Sequence, residues 1–264
     1  MSRSSRIGLM LFLTGCSLPL PAADVLREQE LARELEARTQ AGEMVWLQAQ
    51  GTRFQALYRD AATRETRGAI VLLHDADSPL DAPGLLRELR KRLPDRGWAT
   101  LALQGPLREA GADDYLPLMP ETLTRIDTAL GYLQERKPDN LILLGYRQGG
   151  LAVLRYLEEK SDAKVGAAIL LDLRPNGDPE HDTALNDALG KAELPLLDIL
   201  GGKEGVDDDL IQQRRHLMKH NAGYRIVPLT DTDHRLEGWN DMLINRIHGW
   251  LRQLPTKDAR PPGP

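Results

Sequence analysis

Several short runs of this sequence are apolar at almost every position, and each is followed by a segment with helical spacing. Residues 69–74 read Ala-Ile-Val-Leu-Leu-His, residues 141–144 Leu-Ile-Leu-Leu, and residues 165–172 Val-Gly-Ala-Ala-Ile-Leu-Leu-Asp. A strand with one wet face alternates apolar and polar residues, so a continuous apolar run predicts a strand covered on both faces. Residues 98–103, 194–200 and 224–229 extend the series. Between them lie Leu85, Leu86, Leu89 and Leu93, then Leu123, Ile126, Leu130 and Leu133, each set on one face of a helix. A helix over 148–159 and a last one carrying Trp239, Leu243, Ile247, Trp250 and Leu251 complete the pattern. Strands alternating with helices imply parallel pairing through right-handed crossovers. Ahead of them, residues 45–48 and 54–58 flank Gly51-Thr52 and predict a hairpin. The expected class is α/β: a mainly parallel central sheet with an N-terminal strand pair and helices on both faces.

The N-terminus predicts export. Arg3 and Arg6 precede a seven-residue apolar core over 7–13, which is too short to span a bilayer. Leu13-Thr14-Gly15-Cys16 then resembles a bacterial lipobox, in which the cysteine becomes the lipidated first residue. Cys16 is the only cysteine, so it has no disulfide partner within the chain. A plain signal peptide cleaved near Pro21-Ala22-Ala23 is the alternative. Ser17 after the cysteine favours, by the same resemblance, the outer membrane over a soluble periplasmic or secreted product. The expected organisation is a signal peptide over 1–15, an anchor and helical spacer over 16–43, a domain over 44–254 and a disordered tail over 255–264. Loss of the first fifteen residues removes two arginines and moves the net charge from −5 to −7. No basic run is present and 5% of residues are aromatic, which argues against nucleic acid as a partner.

The strand at 141–144 runs into Gly145-Tyr146-Arg147-Gln148-Gly149. A Gly-x-Ser-x-Gly segment at such a junction makes a sharp strand-to-helix turn that presents a nucleophilic serine. Here the two glycines persist and arginine stands between them. Arginine stays protonated and cannot attack a carbonyl. Beyond Ser17 the chain has only Ser78, in the loop after the strand at 69–74, and Ser161, in a polar run after a helix.

With that segment, residues 44–254 resemble the α/β-hydrolase fold, whose triad follows the order nucleophile, acid, histidine. The resemblance places Arg147 at the nucleophile, Glu204 at the acid with Asp172 as the other candidate, and His234 at the histidine. His74-Asp75-Ala76 falls at the oxyanion loop, where relatives often carry His-Gly; the aspartate departs from that pattern. Leu72-Leu73-His74, the strand Gly97-Trp98-Ala99-Thr100-Leu101 and Leu143-Leu144-Gly145 are similar to an uncharacterised bacterial family, domain of unknown function 3530. That family implies no established activity.

Each of these residues has a plainer role open to it. Arg147 can pair with Asp75, Asp77 or Glu204, and a cation at a helix N-terminus calls for such an anion. His234 can simply hold its loop to the last helix, and Glu204 can lie in a solvated acidic stretch with Asp207, Asp208 and Asp209. His216 and His220 are four apart but lack the acid of a metalloprotease pattern, so no metal or other cofactor is expected. The leading expectation is an envelope protein that binds a small anionic ligand or a protein partner without serine-hydrolase chemistry. One alternative is an esterase-like hydrolase or acyltransferase using His234 on water. Another is a lipid-anchored scaffold. An open cavity in which Arg147 and His234 converge favours a ligand or an enzyme; one filled by Leu116, Leu118 or Met119 favours a scaffold.

Overall fold

The computed structural model describes residues 23–38, 43–112, 114–160, 164–202, 205–230, 232, 235–236, 238 and 240–254. Cys16, Ser161, Glu204, His234 and the tail lie outside the described residues. Among those described, eight strands form one sheet: β1 (Glu43–Ala49), β2 (Thr52–Arg59), β3 (Gly68–Leu73), β4 (Trp98–Leu103), β5 (Leu141–Tyr146), β6 (Ala167–Leu171), β7 (Leu196–Gly202) and β8 (Tyr224–Thr230). Their spatial order is β1-β2-β4-β3-β5-β6-β7-β8. β1 pairs with β2, and β2 with β4, antiparallel; every other pair is parallel. The hairpin between β1 and β2 turns at Gln50 and Gly51, both at positive φ (46° and 87°). That is the backbone twist a tight two-residue hairpin favours.

The continuous apolar runs have a direct explanation. On β3, Ala69, Val71 and Leu73 face one core, while Ile70 and Leu72 face the other. On β5, Leu141 and Leu143 divide from Ile142 and Leu144 in the same way. Successive side chains of a strand point to opposite faces, so both sets must be apolar when both faces are covered. The first face carries α3 (Met119–Gln134), α4 (Gln148–Glu159) and α5 (Pro179–Gly190); the second carries α2 (Leu85–Arg92) and α7 (Asn240–Leu251). α6 (Asp208–Leu217) lies between β7 and β8 in the chain. Among the described residues no helix is long and apolar enough to cross a membrane.

The N-terminal helix α1 (Val25–Arg38) packs as part of this body rather than as a free spacer. Glu28 is buried and pairs with Arg125 of α3 at 2.9 Å, and its carboxylate also accepts from the Leu107 N–H at 3.1 Å. Burial pushes the Glu28 carboxyl above its usual range, against the pull of Arg125. Gln55 of β2 donates to the Ala32 carbonyl. At the head of the helix, Ala23 bridges to Arg108 in the loop after β4.

Candidate functional site

β3, β5 and β6 are parallel, so their C-terminal ends reach the same edge of the sheet. At that edge β5 turns into α4 through Arg147, whose φ and ψ are 51° and −115°. A non-glycine residue adopts such angles only where its surroundings compel it. The surroundings here are two glycines. A Cβ on Gly145 would lie 2.3 Å from the Gly149 carbonyl oxygen, and one on Gly149 would lie 2.5 Å from that of His74. The strand, the turn and the β3 loop therefore close upon one another as only glycine permits. Main-chain bonds complete the turn: the Arg147 N–H donates to the Leu171 carbonyl at 2.9 Å, and the Gly150 N–H to the Arg147 carbonyl at 2.8 Å.

The Arg147 side chain projects from this turn with 38% of its surface exposed. It lies 3.4 Å from Asp75 and 3.8 Å from Asp172, and its guanidinium sits over the Tyr146 ring at 5.3 Å. Partial burial opposes its charge, but Tyr146, Asp75 and Asp172 together raise its pKa above the ordinary arginine value. Two of the anions at the site are thus Asp75, which the sequence placed among the candidates, and Asp172, placed there as a possible triad acid. Asp77 instead pairs with Arg108 at 2.6 Å.

Asp172 ends β6 at φ 47° and is almost wholly buried. Arg174 holds it at 2.8 Å and also donates to the Gly201 carbonyl. The loop after β3 contributes Asp75 in an informative position. One oxygen of its carboxylate accepts from the Ala76 N–H at 2.9 Å and from the Gln148 N–H at 3.2 Å. In a Gly-x-Ser-x-Gly turn, the N–H of the residue after the nucleophile and an N–H from this loop hold the oxyanion. Here the Asp75 oxygen receives both kinds of donor. His74, beside it, is pushed down to about 4 by burial, so its imidazole is neutral near pH 7.

Two cavities meet at Asp75. The first, about 200 Å³, opens over Arg147 and is lined by His74, Ser78, Leu85, Leu86, Tyr146 and Arg235 among others. Leu118 and Met119 are buried in the core and do not fill it. The second, about 410 Å³, lies on the α5 side and includes Gln148, His181, Arg108 and Leu116. His181 lies in the polar stretch from Arg174 to Ala192 and nothing in the sequence singles it out. It is buried, with Nδ1 2.9 Å from Asp182 and Nε2 3.0 Å from the Gln148 amide nitrogen. Burial works against ionisation of Asp182, but the bonds from His181 and from the Asn176 and Gly177 N–H groups hold its carboxyl below the usual range. The nearest sequence signal is Asp178-Pro179 ahead of Leu185, Ala188 and Leu189, a capped helix start that could have found α5 but not the His181 ring. Among the described residues no group of three histidine, cysteine, aspartate or glutamate side chains is arranged to hold a metal ion.

The sheet order and the glycine-framed turn between β5 and α4 define the α/β-hydrolase fold. Solved structures share it at low identity. An esterase of Pyrococcus furiosus matches with TM-score 0.64 and 15% identity, over 81% of this chain and 91% of its own. The dienelactone hydrolase of Anabaena variabilis matches with TM-score 0.64 and 20% identity, over 81% and 98%. A serine hydrolase without a lid from Xanthomonas campestris matches with TM-score 0.62 and 14% identity, over 84% and 98%. Within this class the chain belongs to the family described as a protein of unknown function, DUF3530, which matches residues 14–113 and 116–253. No curated protein matches the sequence.

Proposed function

We propose that this is an exported, envelope-held α/β-hydrolase-fold protein that binds a small anionic ligand and performs no serine-hydrolase chemistry. The observation that carries this reading is the double substitution at the turn. Arg147 takes the place of a nucleophile, and the Asp75 carboxylate takes the place of the oxyanion. A stabiliser of developing negative charge works only if its donors are free to receive that charge. The Gln148 and Ala76 N–H groups already donate to the Asp75 carboxylate, so they are not free to hold an oxyanion, and the charge of Asp75 would repel one.

The cavity over Arg147 supports the ligand. Arg147 and Arg235 supply positive charge, Ser78 a hydroxyl, His74 a neutral ring, and Leu85 with Leu86 an apolar wall. Arginine pairs well with carboxylate or phosphate through parallel N–H bonds. A volume near 200 Å³ suits a small carboxylate with a short apolar body. Lipidation at Cys16 and residence at the outer membrane belong to the same proposal, on the strength of the segment from Leu13 to Cys16.

The deciding experiment is a thermal-shift series on the mature domain with small carboxylates, phosphates and acyl esters. A ligand at one hundred times its Kd adds about 2.7 kcal/mol of stability, a shift that is easily resolved. Arg147→Ala should abolish the shift. A fluorophosphonate probe, which needs an activated serine, should leave the protein unlabelled. Stoichiometric labelling at Ser78 would overturn the proposal in favour of an enzyme.

A further inference from the structure

The N-terminal segment enters the domain at the edge of the sheet that carries the site. Ala23 bridges to Arg108, and the Asp24 N–H donates to the Leu107 carbonyl at 2.8 Å. Arg108 in turn is fixed to Asp77, with its N–H and Nε donating to that carboxylate at 2.8 and 2.7 Å. Asp77 is two residues from Asp75, and Arg108 lines the same cavity as Gln148 and His181. The buried pair of Glu28 with Arg125 then prevents α1 from swinging away. A buried ion pair of this kind is costly to break. Ala23 is seven steps along the chain from Cys16, a reach of at most about 25 Å even when fully extended.

Two of the three exposed large apolar residues among those described fall at the same place. Among the described residues the large apolar side chains that stand exposed are Val25, Leu26 and Trp46, and Leu26 is 74% exposed. Val25 and Leu26 open α1, next to the point of entry. Trp46 lies apart, on the edge strand β1, under Arg53.

We propose that the domain rests on the bilayer with this edge toward it, Val25 and Leu26 seated in the lipid interface and the cavities around Asp75 facing the membrane. The opposite ends of the strands, near Lys137 and Asp139, stand about 20 Å further out, one strand length away. The net charge of −7 that remains without the first fifteen residues gives no attraction to anionic lipid, so the contact depends on the acyl anchor and these two side chains. The proposal extends the lipid-anchor reading of Cys16 and stands on it.

The test couples the chain that starts at Cys16, through its only thiol, to a maleimide-bearing phospholipid in vesicles of phosphatidylethanolamine and phosphatidylglycerol. Amide hydrogen exchange is compared with that of the uncoupled chain beside the same vesicles. Exchange over residues 24–30 and 106–112 should slow about three-fold or more on coupling, and exchange over 136–141 should not change. Replacing Val25 and Leu26 together by Ser should keep the protein on the vesicles and remove the slowing. Unchanged exchange at both edges, slowing at 136–141, or slowing that survives the double Ser variant would each overturn the orientation. The mass of the native N-terminus decides lipidation separately, because the chemical coupling tests orientation whether or not the cell acylates Cys16.

Discussion

Arg125 and Arg214 are arginines of the interior, and Arg147 is an arginine of an edge. Arg125 has no exposed side-chain surface. It holds Glu28 at 2.9 Å, Glu121 at 2.5 Å and the Gln104 carbonyl at 3.0 Å, over the Phe54 ring. Arg214 is equally buried, 2.8 Å from Asp198 and 2.6 Å from the Leu173 carbonyl, while Tyr224 donates to the same aspartate. Arg147 keeps more than a third of its surface in solvent, and among the described residues two carboxylates lie 3.4 and 3.8 Å from it. At Arg125 and Arg214 the guanidinium itself is dry and its contacts are short. The longer, half-wet contacts of Arg147 suit a cation that exchanges an internal anion for an external one.

The comparison can be broken first at its buried side. Arg125→Ala strands Glu28 and Glu121 without their cation, and loss of one partner from a buried pair costs about 3–5 kcal/mol. The melting temperature should fall by on the order of 10 °C, read by calorimetry. A change within error would remove the contrast with Arg147.

A smaller effect is expected from acid. His74 has a folded pKa of about 4, below the ordinary 6.5. Between these values the unfolded chain takes up a proton that the folded one refuses, so stability rises with pH across the window and is lost as pH falls from 6.5 towards 4. The loss should be on the order of 3 kcal/mol. His74→Asn should flatten that part of a denaturant-midpoint profile, and a profile of the same slope would contradict the burial of the ring.

Arg147→Ala should cost about 1 kcal/mol or less, the value of a partly exposed pair, because Asp172 keeps Arg174. Urea unfolding of the variant should nearly overlay the parent without ligand. A loss as large as that of Arg125→Ala would place Arg147 among the bracing arginines. The smallest expected effect is none: Arg147→Ser should hydrolyse p-nitrophenyl acetate no faster than the parent, because the Asp75 carboxylate still occupies the donors. Measurable turnover in that single variant would show that Asp75 is no obstacle.

Much of the fold was legible because a two-faced sheet demands apolar residues at every strand position. β3, β5 and β6 announced themselves in that way, and Gly51 marked the hairpin. The docking of α1 was hidden, since its anchor is Glu28 in a run of charged residues that otherwise reads as surface. Nothing local tells a carboxylate that it will meet Arg125 of α3, 97 residues away. At the site, Asp75 and Arg147 stood out as departures from a known turn. The contacts that give them meaning, the Gln148 N–H to Asp75 and His181 to Gln148, join segments far apart in sequence. A helix such as α5 exposes one side and buries another, and its composition does not say which side His181 takes.

The turn around Arg147 also separates two things that enzymes usually change together. Its shape is kept by Gly145, Gly149 and main-chain bonds, none of which involves the side chain at 147. Any L-residue there meets the same unusual backbone angles, of order 1–3 kcal/mol, so exchanging one for another leaves that cost nearly unchanged. Position 147 is therefore open to evolutionary drift in chemistry with little penalty in folding, while its glycine neighbours are not. A lineage could lose or regain a nucleophile here by a single codon's history and carry the same architecture throughout.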